Sequence, residues 1–148
     1  MAQLPRSHLL RMGRRSIENQ VYLITATTHQ REPYFLDFDL ARSLILTLRR
    51  EQDLQRAQTL AYVVMPDHLH WLLSLGASPS LQAVVGGVKS VVAHEAGQTI
   101  WQKGFHDRAI RREEDLAAVA RYLVFNPVRA GLVDRVGLYS HWDAVWLS

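Results

Sequence analysis

The sequence predicts an α+β sandwich, an antiparallel sheet with helices packed on one face, and three observations lead there. Stretches rich in β-branched and aromatic residues alternate with stretches of helical periodicity. Two of the apolar stretches, Thr59 to Met65 and His68 to Leu75, are joined by Pro66-Asp67 alone, a link so short that the strands must be antiparallel neighbours. The elements run strand, helix, strand, strand, helix, strand, helix, which is the split βαβ order of a ferredoxin-like sandwich.

The elements follow in turn. Met1 to Gln20 is basic and unpatterned and reads as an arm. Val21 to Thr28 is the first strand, apolar enough to be central. After the turn-rich His29 to Asp37, the spacing of Leu40, Leu44 and Leu48 predicts a helix over Phe38 to Gln52, capped by Asp37 or Asp39, with Arg42, Arg49 and Arg50 toward solvent. Ser80 caps a helix from Leu81 to about Ala96 that turns Val84, Val85, Val88, Val91 and Val92 inward and stops at Gly97. Phe105 to Ile110 is a short strand or a loop around Gly104 and His106-Asp107. Glu113, Glu114 and Asp115 place negative charge at the start of a last helix, whose stripe is Leu116, Val119, Ala120, Leu123 and Val124. That helix ends or bends near Phe125-Asn126, because the residue before Pro127 disfavours helical geometry. Residues 136–148, with Tyr139, His141, Trp142 and Trp146, form an aromatic tail to one domain spanning 1–148.

Composition narrows the function. The chain has 148 residues, 48% of them hydrophobic, enough for a real core, and no apolar run reaches the roughly 20 residues that span a bilayer. The N-terminus lacks the apolar segment of an export signal. There is no cysteine, which excludes disulfides, thiolate zinc sites and cysteine nucleophiles and fits a cytoplasmic protein. The formal charge of +3 permits a polyanionic partner, and all but Lys89 and Lys103 of the seventeen basic residues are arginine, the cation suited to phosphate forks and base stacking. A GC-rich genome accounts equally for that arginine preference.

The chemistry-bearing residues fall in two places. His68 and His70 are two apart on a strand, so both imidazoles project from one face of the sheet. Tyr122 and Asn126 are four apart and adjacent on one helical face. If that helix lies near the histidine strand, two imidazoles, an amide oxygen and a phenol meet in one site. Such a set suits a divalent ion, Mg²⁺ or Mn²⁺, acting as a Lewis acid on a phosphate, with tyrosine as a covalent nucleophile. The same residues have ordinary uses: histidines on a half-solvated face, a partly buried aromatic with a wet hydroxyl, and an asparagine at a helix end.

Two long motifs, Tyr62-Val63-Val64-Met65-Pro66-Asp67-His68-Leu69-His70 and Arg121-Tyr122-Leu123-Val124-Phe125-Asn126-Pro127-Val128-Arg129-Ala130-Gly131-Leu132-Val133, resemble the single-tyrosine HUH transposases, and among them most of all the REP-associated tyrosine transposases. Gly13 to Ser16, Thr27 to Arg31, Trp101 to Asp107 and Trp142 to Trp146 extend the resemblance over nearly the whole chain. It implies a transposase-like DNA endonuclease and strand transferase in which His68, His70 and Asn126 bind the metal and Tyr122 attacks a phosphate of single-stranded DNA. The product would be a 5′-phosphotyrosyl link and a free 3′-hydroxyl able to rejoin strands. The resemblance further implies, as partner, a REP-type palindromic hairpin with a flanking guide tetranucleotide, for which Arg14, Arg15, Arg129, Trp142 and Trp146 are the candidate contacts. Asp67 departs from the asparagine expected at that turn. Two alternatives stand beside this reading: a hairpin-binding protein without turnover, and a metal-dependent phosphoesterase with water as nucleophile. Monomer and homodimer are both open.

Overall fold

The computed structural model describes residues 20–111 and 116–144. The strands are β1 (Val21–Thr27), β2 (Ala57–Met65), β3 (His68–Leu75), β4 (His106–Ile110) and β5 (Trp142–Ala144). The helices are α1 (Phe38–Asp53), α2 (Leu81–Ala96), α3 (Leu116–Val124) and the single turn α4 (Asn126–Arg129). All strand neighbours are antiparallel, in the order β4-β1-β3-β2-β5. The first four strands thus have the ferredoxin-like arrangement that their sequence order predicts, and β5 extends the sheet beyond β2.

Local chemistry sets the helix limits. The Asp37 side chain accepts the Leu40 amide at 3.2 Å and caps α1; the Ser80 hydroxyl accepts the Ala83 amide at 3.0 Å and caps α2. Gly97, at φ 73°, ends α2 in the left-handed conformation, which costs glycine little. Inward from the caps, Val84, Val85, Val88 and Val92 are buried. Val91, expected inward, is exposed because it falls just past the edge of that buried arc.

Each face of the sheet has its own core. On one, Tyr22, Ile24, Val64, Leu69, Trp71 and Leu73 meet Leu44 and Leu48 of α1 and the valines of α2. On the other, Ala61, Val63 and Leu72 meet Ala120, Leu123 and Val124 of α3. The single-face packing expected from sequence describes α1 and α2; α3 is placed opposite because its apolar stripe fits the residues that alternate with the first core. That opposite face is the one from which His68 and His70 project.

The residues expected to carry the cap charges of α3 (Glu113, Glu114 and Asp115) lie outside the described residues, as does the basic arm through residue 19. Among the described residues, no helix is long and apolar enough to cross a membrane.

The tail residues Tyr139 to Ala144 are tied to β2. The Tyr139 hydroxyl donates to the Val64 carbonyl at 2.5 Å, the Val64 amide donates to the His141 carbonyl at 2.8 Å, and β5 pairs Val63 with Trp142. Burial pushes the Tyr139 pKa up to about 12, so its hydroxyl stays a donor at neutral pH.

Trp71 is completely buried at the centre of the first core, and its indole N–H donates to the Thr59 hydroxyl at 2.9 Å. Trp71→Ala is therefore expected to lower the unfolding free energy by about 3–5 kcal/mol in urea titrations followed by far-UV circular dichroism, and a loss below ~1 kcal/mol would contradict this packing.

Candidate active site

The register of β1 against β3 builds the first half of the site. Thr25 lies opposite His70 and Thr27 opposite His68, so the two threonines and two imidazoles share one face. The imidazole rings meet edge to face with centroids 4.7 Å apart. Each has its Nδ1 occupied: His70 Nδ1 is 2.9 Å from Thr25 Oγ1, and His68 Nδ1 is 2.8 Å from Asp67 Oδ1. Ligation of a metal through Nε2 requires Nδ1 to carry the proton, and both oxygens can accept it.

Electrostatics keep His70 ready for such a role. Burial, with the positive charges of His68 and Arg129, lowers its pKa from 6.5 to about 4, so the ring is neutral at pH 7. Burial acts to raise the Asp67 pKa, but the hydrogen bond and charge of His68, with the Arg31 guanidinium, outweigh it and hold the carboxyl below its ordinary value. Arg31 Nε donates to Asp67 Oδ2 at 3.0 Å.

Asp67 is fixed through its main chain as well. The fully buried Thr28 donates its amide to the Asp67 carbonyl at 3.0 Å, and its hydroxyl lies at the same distance from that carbonyl. Gln30 and Arg31, at φ 53° and 54°, both take the left-handed backbone that L residues avoid, at a cost of about 1–2 kcal/mol each. Hydrogen bonds from His29 to the Ile100 carbonyl and from Arg31 to the Thr28 carbonyl close this turn and bring Arg31 to Asp67.

The second half of the site comes from the end of α3. The helix breaks at Phe125 and restarts as α4 with Pro127 in its first turn, and the Val128 and Arg129 amides both donate to the Phe125 carbonyl. This turn folds Arg129 back on the helix. Its guanidinium lies 3.8 Å from the centre of the Tyr122 ring and donates through Nη2 to the Tyr122 carbonyl at 2.5 Å and to Asn126 Oδ1 at 2.7 Å. Tyr122 is 66% exposed, so its ring lies at the surface rather than in the second core.

The structure thus brings together His68 with His70, and Tyr122 with Asn126 and Arg129. The Arg129 guanidinium covers Tyr122, and its charge is one of the influences that lower the His70 pKa. The donor set fits a divalent ion through two imidazole nitrogens, with open positions for oxygen ligands. Asn126 could add its oxygen once Arg129 releases it. Among the described residues, no group of three or more histidine, aspartate and glutamate side chains is placed to hold a metal ion, at the imidazole pair or elsewhere.

Of the candidate DNA contacts, Arg14, Arg15 and Trp146 lie outside the described residues. Trp142 is half-buried against the second core and donates its indole N–H to the Val136 carbonyl at 3.0 Å, which makes it a packing residue in this structure. Sequence reasoning missed Thr25, Arg31 and the contact of Asp67 with His68. The acidic residue adjoining the histidine pair was the one visible signal.

No family model matches the sequence. A REP-associated tyrosine transposase of Escherichia coli (strain K12) is 28% identical over 131 residues, covering 85% of this chain and 75% of that protein. A solved structure of a REP-associated tyrosine transposase bound to a REP hairpin superposes with a TM-score of 0.73 at 23% identity, over 96% of this chain and 82% of that one. In sequence and in fold, the chain is similar to transposase-like proteins. Within that class, its resemblance to the REP-associated tyrosine transposases, carried by the two long motifs, is borne out.

The His70 environment has a measurable consequence. Its pKa is lower in the folded chain than the ordinary 6.5, so the unfolded chain binds more protons between these values. The contribution of His70 to stability is present above pH 6.5 and is lost as pH falls toward about 4. Urea titrations across that range should show a stability decline that is shallower in His70→Gln; equal declines in both proteins would contradict the assignment.

Proposed function

We propose that this protein cleaves and rejoins single-stranded DNA beside a REP-type hairpin, with Tyr122 as the nucleophile and His68, His70 and Asn126 as ligands of Mg²⁺ or Mn²⁺. The observation that carries the reading is that one sheet face bears both motifs, about fifty residues apart: the imidazole pair projects from it, and the helix that presents Tyr122, followed by the turn with Asn126 and Arg129, packs against it. The relative bound to a REP hairpin supports the choice of DNA partner.

In this mechanism, the rigid sheet holds the imidazoles and the end of α3 presents the nucleophile. A divalent ion bound there would supply Lewis-acid polarisation of the scissile phosphate. The Tyr122 oxygen attacks phosphorus, the P–O3′ bond breaks, and the tyrosine proton passes through solvent to the departing 3′-oxygen. The 5′-phosphate is left on Tyr122. The reverse attack by a 3′-hydroxyl restores a phosphodiester and frees the tyrosine. The bond energy is conserved in the phosphotyrosyl link, so no nucleotide cofactor is needed.

Arg129 offers a cation 3.8 Å from the centre of the Tyr122 ring. It is suited to hold the non-bridging oxygens of the scissile group once released from Asn126. Arg14, Arg15 and Trp146 complete the reading as contacts to the hairpin and its guide tetranucleotide.

The test uses wild type and Tyr122→Phe with 5′- and 3′-labelled hairpin oligonucleotides and Mn²⁺, resolved on denaturing gels. Wild type should retain the strand lying 3′ of the cleaved bond as a protein adduct. The variant should form none while binding the hairpin with wild-type affinity, and chelation of Mn²⁺ should also abolish the wild-type adduct. Cleavage by both proteins without an adduct would establish water as the nucleophile. Binding by both without cleavage would favour a hairpin-binding protein without turnover.

A further inference from the structure

The two histidines differ in what holds them. His70 is bonded to a hydroxyl, which can either donate or accept, so Thr25 permits either tautomer of the neutral ring. His68 is bonded to a carboxylate, which has no proton to give. Its Nδ1 must therefore be the donor, and the lone pair of the neutral ring falls on Nε2, the nitrogen free to ligate.

The carboxylate is itself constrained. Asp67 uses Oδ1 for His68 and Oδ2 for Arg31, while Thr28 holds its main-chain carbonyl. Arg31 reaches it from a left-handed turn closed by backbone hydrogen bonds. The carboxylate thus accepts from two sides, from the guanidinium through Oδ2 and from the imidazole through Oδ1.

We propose that Asp67, braced by Arg31, is a positioning residue that locks His68 in the Nδ1–H tautomer and so presents Nε2 to a divalent cation. The inference rests on the metal-site reading above and deepens it. It also gives the aspartate at this turn a chemical consequence that asparagine held by Arg31 would not share. In Asp67→Asn, Arg31 can only donate and so draws the carboxamide oxygen toward itself. The amide nitrogen is then turned to His68 and donates to Nδ1. The imidazole proton moves to Nε2, and the lone pair needed for ligation is lost. Removing Arg31 as well frees the carboxamide to flip and restores acceptance of the Nδ1 proton.

The experiment compares wild type, Asp67→Asn and the double variant Arg31→Ala/Asp67→Asn, each as the full chain without DNA. Imidazole ¹⁵N shifts, read without metal above the ordinary imidazole titration range, report the tautomer. Titration with Mn²⁺, followed by the electron paramagnetic resonance of the free ion, reports affinity. The expected result is Nδ1–H for His68 in wild type and Nε2–H in Asp67→Asn, with Mn²⁺ binding weakened about 10- to 100-fold. The double variant should recover both properties in part, which a merely structural role would not produce. An Asp67→Asn protein with the wild-type tautomer and wild-type Mn²⁺ affinity would overturn the role of Asp67. Failure of the double variant to recover would overturn the bracing by Arg31. Wild type that shows Nδ1–H but binds no Mn²⁺ would overturn the metal-site reading and, with it, the presentation of Nε2 to a cation.

Discussion

The alignment of β1 against β3 is the constraint on which the candidate site depends. It sets Thr25 beside His70 and Thr27 beside His68, and it sends Trp71 to the opposite face into the first core. A slip of one residue would turn both imidazoles into that core and Trp71 toward the opposite face. Both faces resist such a slip, because Ile24, Trp71 and Leu73 are buried on one side and Leu72 on the other. The geometry of the imidazole pair is thus set by the same contacts that stabilise the sheet.

The second core extends this coupling to Tyr122. Ala120, Leu123 and Val124 anchor α3 against Ala61, Val63 and Leu72, and the exposed Tyr122 directly precedes one of those anchors, Leu123. A change in the packing of Leu72, two residues from His70, would therefore be felt at the end of α3 as well. The functional groups occupy the solvent-facing margin of this arrangement, and short polar contacts from Thr25, Asp67 and Arg129 hold them there.

Much of this was legible in the sequence because it depends on local chemistry. Strand periodicity put both histidines on one face, the Ser80 and Gly97 caps bounded α2, and Pro127 marked the break after α3. The missing parts are those that need partners distant in the chain. Strand β5 is too short for alternation to show, and it exists because Tyr139 and His141 bond to Val64. The stripe on α3 revealed an amphipathic helix but could not say which sheet face would receive it. The Thr25–His70 pair appears only once the register is known, and the approach of Arg31 to Asp67 depends on a left-handed turn that its residues do not announce.

The central claim is that the imidazole pair and the end of α3 form one metal-dependent site. Anomalous diffraction from crystals soaked in Mn²⁺ tests it most directly. The account predicts one strong peak at bonding distance from Nε2 of both His68 and His70, with the Asn126 oxygen turned toward it and released from Arg129. A peak at neither histidine, in crystals that hold Mn²⁺ elsewhere, would contradict it.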